Sequence, residues 1–143
     1  MRWVHLGLRL ALGALFLYAG LIKAGASEEF ALALIPFTFV PGGWGSYLAV
    51  GLAVAEILAG VLILLPRVYP LGALLILGLC AVFIVALTWA LANGIIVDCA
   101  CFGRDEAPSA EKMVMAVVRD VVIVMAAATV LSRLGLPARA SLR

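Results

Sequence analysis

Charge is scarce in this sequence. Of its 143 residues, 13% are charged, and the single histidine, His5, stands beside the N-terminus. Soluble domains are about one-quarter charged. The chain has no run of basic residues, no phosphate-binding or dinucleotide-binding glycine motif and no H-E-x-x-H zinc motif. These absences argue against nucleic acid as a partner and against nucleotide or zinc-protease chemistry.

Apolar residues take the place of the missing charges. They make up 66% of the chain, and the mean hydropathy is +1.24. A soluble domain of this size has too little interior, relative to its surface, to bury so many apolar side chains. A lipid bilayer is therefore the expected environment. The length suits one domain, spanning 1–143.

Four segments are long and apolar enough to cross a bilayer as helices, which takes about 20 residues each. They cover about residues 3–22, 45–65, 71–92 and 113–131. Pro66 and Pro70 bracket a short connection, because proline removes a backbone donor and clashes with the preceding helical turn. The first segment is expected to be a retained span, not a cleaved signal peptide. The sequence thus predicts an all-α integral membrane protein, an antiparallel four-helix bundle.

Positive charge indicates how the bundle is oriented. With four spans, the termini and the Pro66–Pro70 turn share one side, which carries only basic residues: Arg2, Arg9, Arg67, Arg133, Arg139 and Arg143. The other side carries Lys23, Arg104 and Lys112 together with six acidic residues. Since Lys and Arg favour the cytoplasmic side, both termini are predicted to be cytoplasmic. The two longer connections then face outward from the inner or plasma membrane.

The first outward connection is unusually apolar for a loop. From Ala26 to Gly43 it contains several large aliphatic and aromatic residues, whereas loops in water are usually polar. A short interfacial helix before Pro36 would explain this, with Phe37 to Pro41 folding back over the mouth of the bundle. Two interpretations stay open: a simple membrane-surface segment, or a lid.

Three charged residues, Glu56, Arg119 and Asp120, fall deep inside the predicted spans. Glu56 and Arg119 lie at similar depth in the second and fourth spans, and buried charges in membranes seek partners in the bundle interior. We expect Glu56 to contact Arg119, and Asp120 to find a hydroxyl, a backbone donor or water. Such a pair could pin helix packing or take part in proton transfer. Arg9 and Lys23, near the span ends, are expected to extend to the interface.

Two cysteines, Cys99 and Cys101, stand one residue apart in the short polar gap between the last two spans. Cys80, in mid-span, is expected to behave as a small apolar side chain. The strained ring of an i, i+2 disulfide at an exposed rim would be labile and exchangeable. Phe102 and Gly103 would let the chain turn while the ring anchors it at the interface.

Neighbouring charges act on the thiols in opposite directions. Asp98 disfavours a thiolate and Arg104 favours one. Three interpretations remain for the pair: a redox-active dithiol, a soft-metal site for Cu(I), or a purely structural element.

These features resemble the MauE branch of the DoxX-like membrane proteins. Gly20–Lys23 is similar to the family's G-x-x-K helix end, and Glu56–Gly60 to the acidic residue and glycine of its second helix. Cys99–Gly103 is similar to its C-x-C-F-G signature, the most specific element. Arg119-Asp120 stands where the family often has Arg-Asn, so the aspartate is a departure.

The resemblance implies a membrane protein of thiol redox, linked to maturation of the disulfide-rich methylamine dehydrogenase and to thioredoxin-like partners. Together with the residues themselves, it favours a thiol–disulfide oxidoreductase component with Cys99 and Cys101 as the catalytic pair. Its supporting residues would be Glu56, Arg119, Asp120, Phe102, Gly103, Asp98 and Arg104. The bundle is also similar to that of vitamin K epoxide reductase, which implies a quinone as a further candidate cofactor. The alternatives are a non-enzymatic assembly factor or copper-handling protein and, third, a transporter with Glu56 as a proton site.

Overall fold

A computed structural model describes residues 2–35, 43–97 and 109–132. Within these ranges the chain forms five helices and no strand, which confirms the all-α prediction. The helices are α1 (Arg2–Gly25), α2 (Ser27–Leu34), α3 (Gly45–Leu64), α4 (Tyr69–Ala92) and α5 (Ala110–Ser132).

The helices α1, α3, α4 and α5 are each long and apolar enough to cross a membrane, and the chain is a multi-pass membrane protein. Each begins and ends close to its predicted span. The largest differences are at the start of α5, which begins at Ala110, and at the end of α1, which continues to Gly25 and so includes Lys23. Lysine is a good helix former, so Lys23 does not interrupt the helix, and its side chain is buried in the bundle.

The four long helices form an antiparallel bundle, as predicted. In chain order, α1 packs against α3, α3 against α4, and α4 against α5, while α1 and α5 form the weakest of the four lateral contacts. Buried apolar residues from all four helices fill the core, including Phe16, Ile63, Ile76 and Ile123.

Small residues allow two of the helix pairs to approach closely. A Cβ atom added at Gly20 of α1 would lie 3.0 Å from the Ala53 carbonyl oxygen of α3. One added at Gly72 of α4 would lie 2.3 Å from the backbone nitrogen of Ile63. In lipid, association of helices depends on such close packing, because burial of apolar surface gives little driving force between them.

The short helix predicted before Pro36 is present as α2, which packs on the first turns of α3. Phe30 and Ala31 of α2 are buried against Ala49 of α3. The predicted return of Phe37 to Pro41 over the bundle falls on residues 36–42, outside the described residues.

Arg9 does not extend to the interface as predicted. It is buried, and it donates hydrogen bonds to the carbonyl oxygens of Ile63 and Leu64, at 2.9 Å and 3.0 Å. Its guanidinium also lies over the Tyr69 ring, 4.5 Å from the centroid. The last carbonyls of a helix have no intrahelical donor, and they carry the negative end of its dipole. Arg9 therefore caps α3 from a neighbouring helix.

Candidate functional site

The most polar part of the bundle interior is an ion pair between α1 and α3. Lys23 donates a hydrogen bond to Oε1 of Glu56, and the two side chains are 1% and 3% exposed. The ammonium also faces two aromatic rings, with Nζ 4.4 Å from the centroid of Phe83 and 5.3 Å from that of Phe30. Aromatic faces attract a cation more strongly where water is excluded. Lys23 is thus held by a carboxylate and two rings.

This position of Lys23 corrects the prediction that it extends to the outer interface. Gly20, close to the end of α1, lies beside Ala53 and Ile57 in the middle of α3. The antiparallel α1 therefore ends before it reaches the first residue of α3. The upper part of α3 is covered instead by α2, whose Phe30 packs there. Because the offset of α1 and the cover by α2 enclose Lys23, its amine turns inward to the nearest carboxylate.

The predicted contact between Glu56 and Arg119 is also wrong as an ion pair. Arg119 donates to Oδ1 of Asp120, from Nε at 3.0 Å and from Nη2 at 2.8 Å. Asp120 therefore accepts from its sequence neighbour, where a hydroxyl, a backbone donor or water was expected. Successive helical residues point about 100° apart, but the long arginine side chain folds around the helix to reach the carboxylate.

Both ion pairs nevertheless border one small cavity inside the bundle. It has a volume of about 30 Å³, and it is lined by Leu15, Phe16, Ala19, Lys23, Glu56, Cys80, Phe83, Arg119, Asp120 and Ile123. Two basic and two acidic side chains balance in formal charge. Such balance lowers the cost of placing charges at membrane depth.

Cys80 lies in less apolar surroundings than its mid-span position suggested. It is a free cysteine, 2% exposed, and it borders the same cavity as the four charged side chains. Burial in the bundle interior keeps it from contact with a second protein. Cys80 is thus a member of the cavity wall and no candidate for exchange with a partner.

The residues of the predicted cysteine site lie outside the described residues. These are Asp98, Cys99, Cys101, Phe102, Gly103 and Arg104, all within 98–108. The chain can be followed to Val97, which is buried in a cluster with Met113 of α5 and Leu87 of α4. Leu34, at the end of α2, packs against this same cluster. The segment with the cysteines therefore starts at the end of the bundle that α2 occupies.

Sequence reasoning missed Lys23 and Phe83 as members of the polar site. One signal for Lys23 was available: only Ala, Gly and Ala separate it from Ser27, where α2 begins. A second helix that starts so close to a lysine is able to enclose it. No comparable signal marks Phe83, one of many apolar residues in an uncharged helix.

Comparison with known proteins gives one result. The sequence model of the family described as methylamine utilisation protein MauE matches residues 1–133. No curated protein and no solved structure shows a significant match. The matched range includes the five helices, both ion pairs and the Cys99–Cys101 motif. The chain therefore belongs to the MauE family, membrane proteins linked to methylamine utilisation.

Proposed function

We propose that this protein is a membrane thiol–disulfide redox component. Cys99 and Cys101 would exchange disulfides with a thioredoxin-like protein, or with a disulfide-containing protein that matures outside the cytoplasm. The observation that carries the proposal is the buried anchor at Val97, where α2, α4 and α5 meet. Cys99 follows two residues later in the sequence, which supports a position of the pair near this end of the bundle.

The exchange needs no group beyond two pairs of sulfur atoms. The thiolate of one cysteine attacks the partner's disulfide, forming a mixed disulfide and releasing one partner thiolate. The second cysteine then attacks the mixed disulfide. Cys99 and Cys101 become bridged, the partner leaves as a dithiol, and two electrons have passed to it. The same steps in reverse would oxidise a partner.

Orientation is part of the proposal. The distribution of basic residues supports cytoplasmic termini and a cysteine segment on the opposite side. Disulfides persist in oxidising extracytoplasmic compartments, whereas cytosolic thiols are kept reduced. This side also gives a maturing protein access to the pair.

A quinone is proposed as an alternative electron carrier for the pair. The cavity between the ion pairs is about 30 Å³, far below the roughly 300 Å³ or more of ordinary ligand pockets. A quinone ring would therefore need the helices to separate, and α1 and α5, with the weakest lateral contact, are the pair to open. Quinone-dependent reoxidation of the reduced protein in nanodiscs tests this route.

Mixed-disulfide trapping in cells tests the exchange directly. The variants C99S and C101S each keep one thiol of the pair, so we expect at least one of them to accumulate a covalent adduct that reductant removes. The double variant C99S/C101S should form none. C80A is the matched control, and it should behave as the unmodified protein because Cys80 is buried.

Two results would overturn the exchange function. One is the absence of an adduct with both single variants. The other is Cu(I) that copurifies in stoichiometric amount and is lost in C99S/C101S. The second result would favour the copper-handling assembly factor, since thiolates select soft metals. In 2–35, 43–97 and 109–132, no group of three or more potential metal-ligating side chains occurs, so the metal would depend on this pair.

A further inference from the structure

One oxygen of the buried Lys23–Glu56 ion pair has no hydrogen-bond partner in the part of the chain that the structure describes. Oε1 of Glu56 accepts from Lys23, but Oε2 is buried and has no hydrogen-bond partner among the described residues. Leaving such an acceptor unsatisfied costs about 1–3 kcal/mol, and more when the group is charged. Buried polar atoms without a protein partner are commonly satisfied by ordered water.

The cavity beside Glu56 has the size that such water needs. A water molecule requires about 10–15 Å³ of cavity measured in this way, and the cavity offers about 30 Å³. It therefore has space for one or two waters and no larger polar ligand. The lining of this cavity is mostly apolar but includes two ion pairs, whereas cavities that stay empty are apolar throughout.

Each long helix places a polar group on the cavity. Lys23 comes from α1, Glu56 from α3, the Cys80 thiol from α4, and Arg119 and Asp120 from α5. On the side toward α2, Phe30 faces the Lys23 ammonium. A buried water typically makes about three hydrogen bonds, and these groups include both donors and acceptors.

We propose that the cavity is a hydrated proton-exchange site. A bound water donates to Oε2 of Glu56 and links the carboxylates of Glu56 and Asp120, so that a proton can pass between α3 and α5. The inference rests on the cavity alone and is independent of the chemistry proposed for Cys99 and Cys101.

Hydroxyl-radical footprinting by X-ray radiolysis tests for the water, because radicals form where water is bound. With the protein in nanodiscs, we expect hydroxyl radicals to oxidise Phe83, which borders the cavity. Filling the cavity with A19L should lower the labelling of Phe83 several-fold. A14L, at an exposed position of the same helix, should leave it unchanged.

Infrared spectroscopy tests the proton. Acid titration should reveal a carboxylic-acid carbonyl band that E56Q removes and E28Q, at an exposed glutamate of α2, retains. In D₂O this band should shift quickly in the unmodified protein and about tenfold or more slowly in A19L, because water carries the deuteron to the carboxyl. If E56Q fails to fold, the comparison of A19L with A14L still tests whether water in the cavity carries the proton. Unlabelled Phe83, or an exchange rate that A19L does not change, would overturn the proposal.

Discussion

Lys23 and Glu56 are joined by an ion pair that connects the end of α1 to the middle of α3, with almost no exposure of either side chain. The pair fixes the axial offset between two helices that otherwise meet through small residues. It also brings a carboxylate to the cavity that α4 and α5 complete. The position of the site thus depends on how α1 and α3 align.

Removing one member of this pair should destabilise the protein far more than removing both. K23M leaves the Glu56 carboxylate buried without its partner, and E56L leaves the Lys23 ammonium buried without its partner. Each should cost about 3–5 kcal/mol of unfolding free energy. The double variant K23M/E56L should recover most of that loss.

Unfolding by denaturant in mixed micelles measures all four proteins of this cycle. E28Q serves as the control, since Glu28 is exposed and its change should leave stability almost unaltered. If the two single losses simply added in the double variant, the pair would carry no coupling and the assignment would be wrong.

Replacing Arg9 should loosen the end of α3. R9M removes two charged hydrogen bonds, each worth about 1.5–3 kcal/mol, together with the contact to the Tyr69 ring. R9K should be intermediate, because an ammonium lacks the planar fork that spans both carbonyls. Amide hydrogen exchange at the last turn of α3 should quicken in the same order.

Arg2 provides the matched comparison, since it is exposed on the same helix. R2M should change neither stability nor exchange. Equal effects of R2M and R9M would show that only positive charge at this end of α1 matters, and would contradict specific capping of α3 by Arg9.

Two glycines of α4 should respond oppositely to alanine. At Gly72 the added Cβ would lie 2.3 Å from a backbone atom of Ile63, which cannot move aside as a side chain could. G72A should therefore cost at least about 1–3 kcal/mol. At Gly78 no neighbouring atom of the described residues lies within 4 Å of the added Cβ, and alanine is favoured over glycine in a helix by about 0.5–1 kcal/mol.

Thermal unfolding in detergent compares the stabilities of G72A and G78A with that of the unmodified protein under identical conditions. We expect a lower midpoint for G72A and an equal or higher midpoint for G78A. A tolerated G72A would mean that α3 and α4 lie further apart than the structure has them.

The orientation should be visible in reporter fusions. Alkaline phosphatase, which is active only outside the cytoplasm, should be active when joined after Ile35 or Val97 and inactive after Val68. The first two positions lie at the α2 end of the bundle and the third in the turn between α3 and α4. A green fluorescent reporter that is active only in the cytoplasm should give the opposite pattern. The same phosphatase activity after Val68 and after Val97 would contradict the four-span topology.

Local features explain what could be predicted from the sequence. Each span is a run of apolar residues whose backbone hydrogen bonds close within the run, so α3 and α4 were expected almost to the residue. The short α2 was likewise indicated by an apolar stretch between Lys23 and Pro36. The partners of Glu56 and Arg119 could not be predicted in this way. Helical periodicity gives the depth and the face of a residue, but it does not give the axial offset of the next helix.

The sequence by itself determined the medium, the number of spans and the family of this protein, since hydropathy and the C-x-C-F-G motif are properties of short segments. Only the tertiary structure decided that Lys23 belongs to Glu56, Arg119 to Asp120 and Arg9 to the end of α3. A charged side chain buried in a low-dielectric bundle pairs with the first suitable group within reach. Which group that is depends on how the helices are offset and covered, and no single helix encodes it.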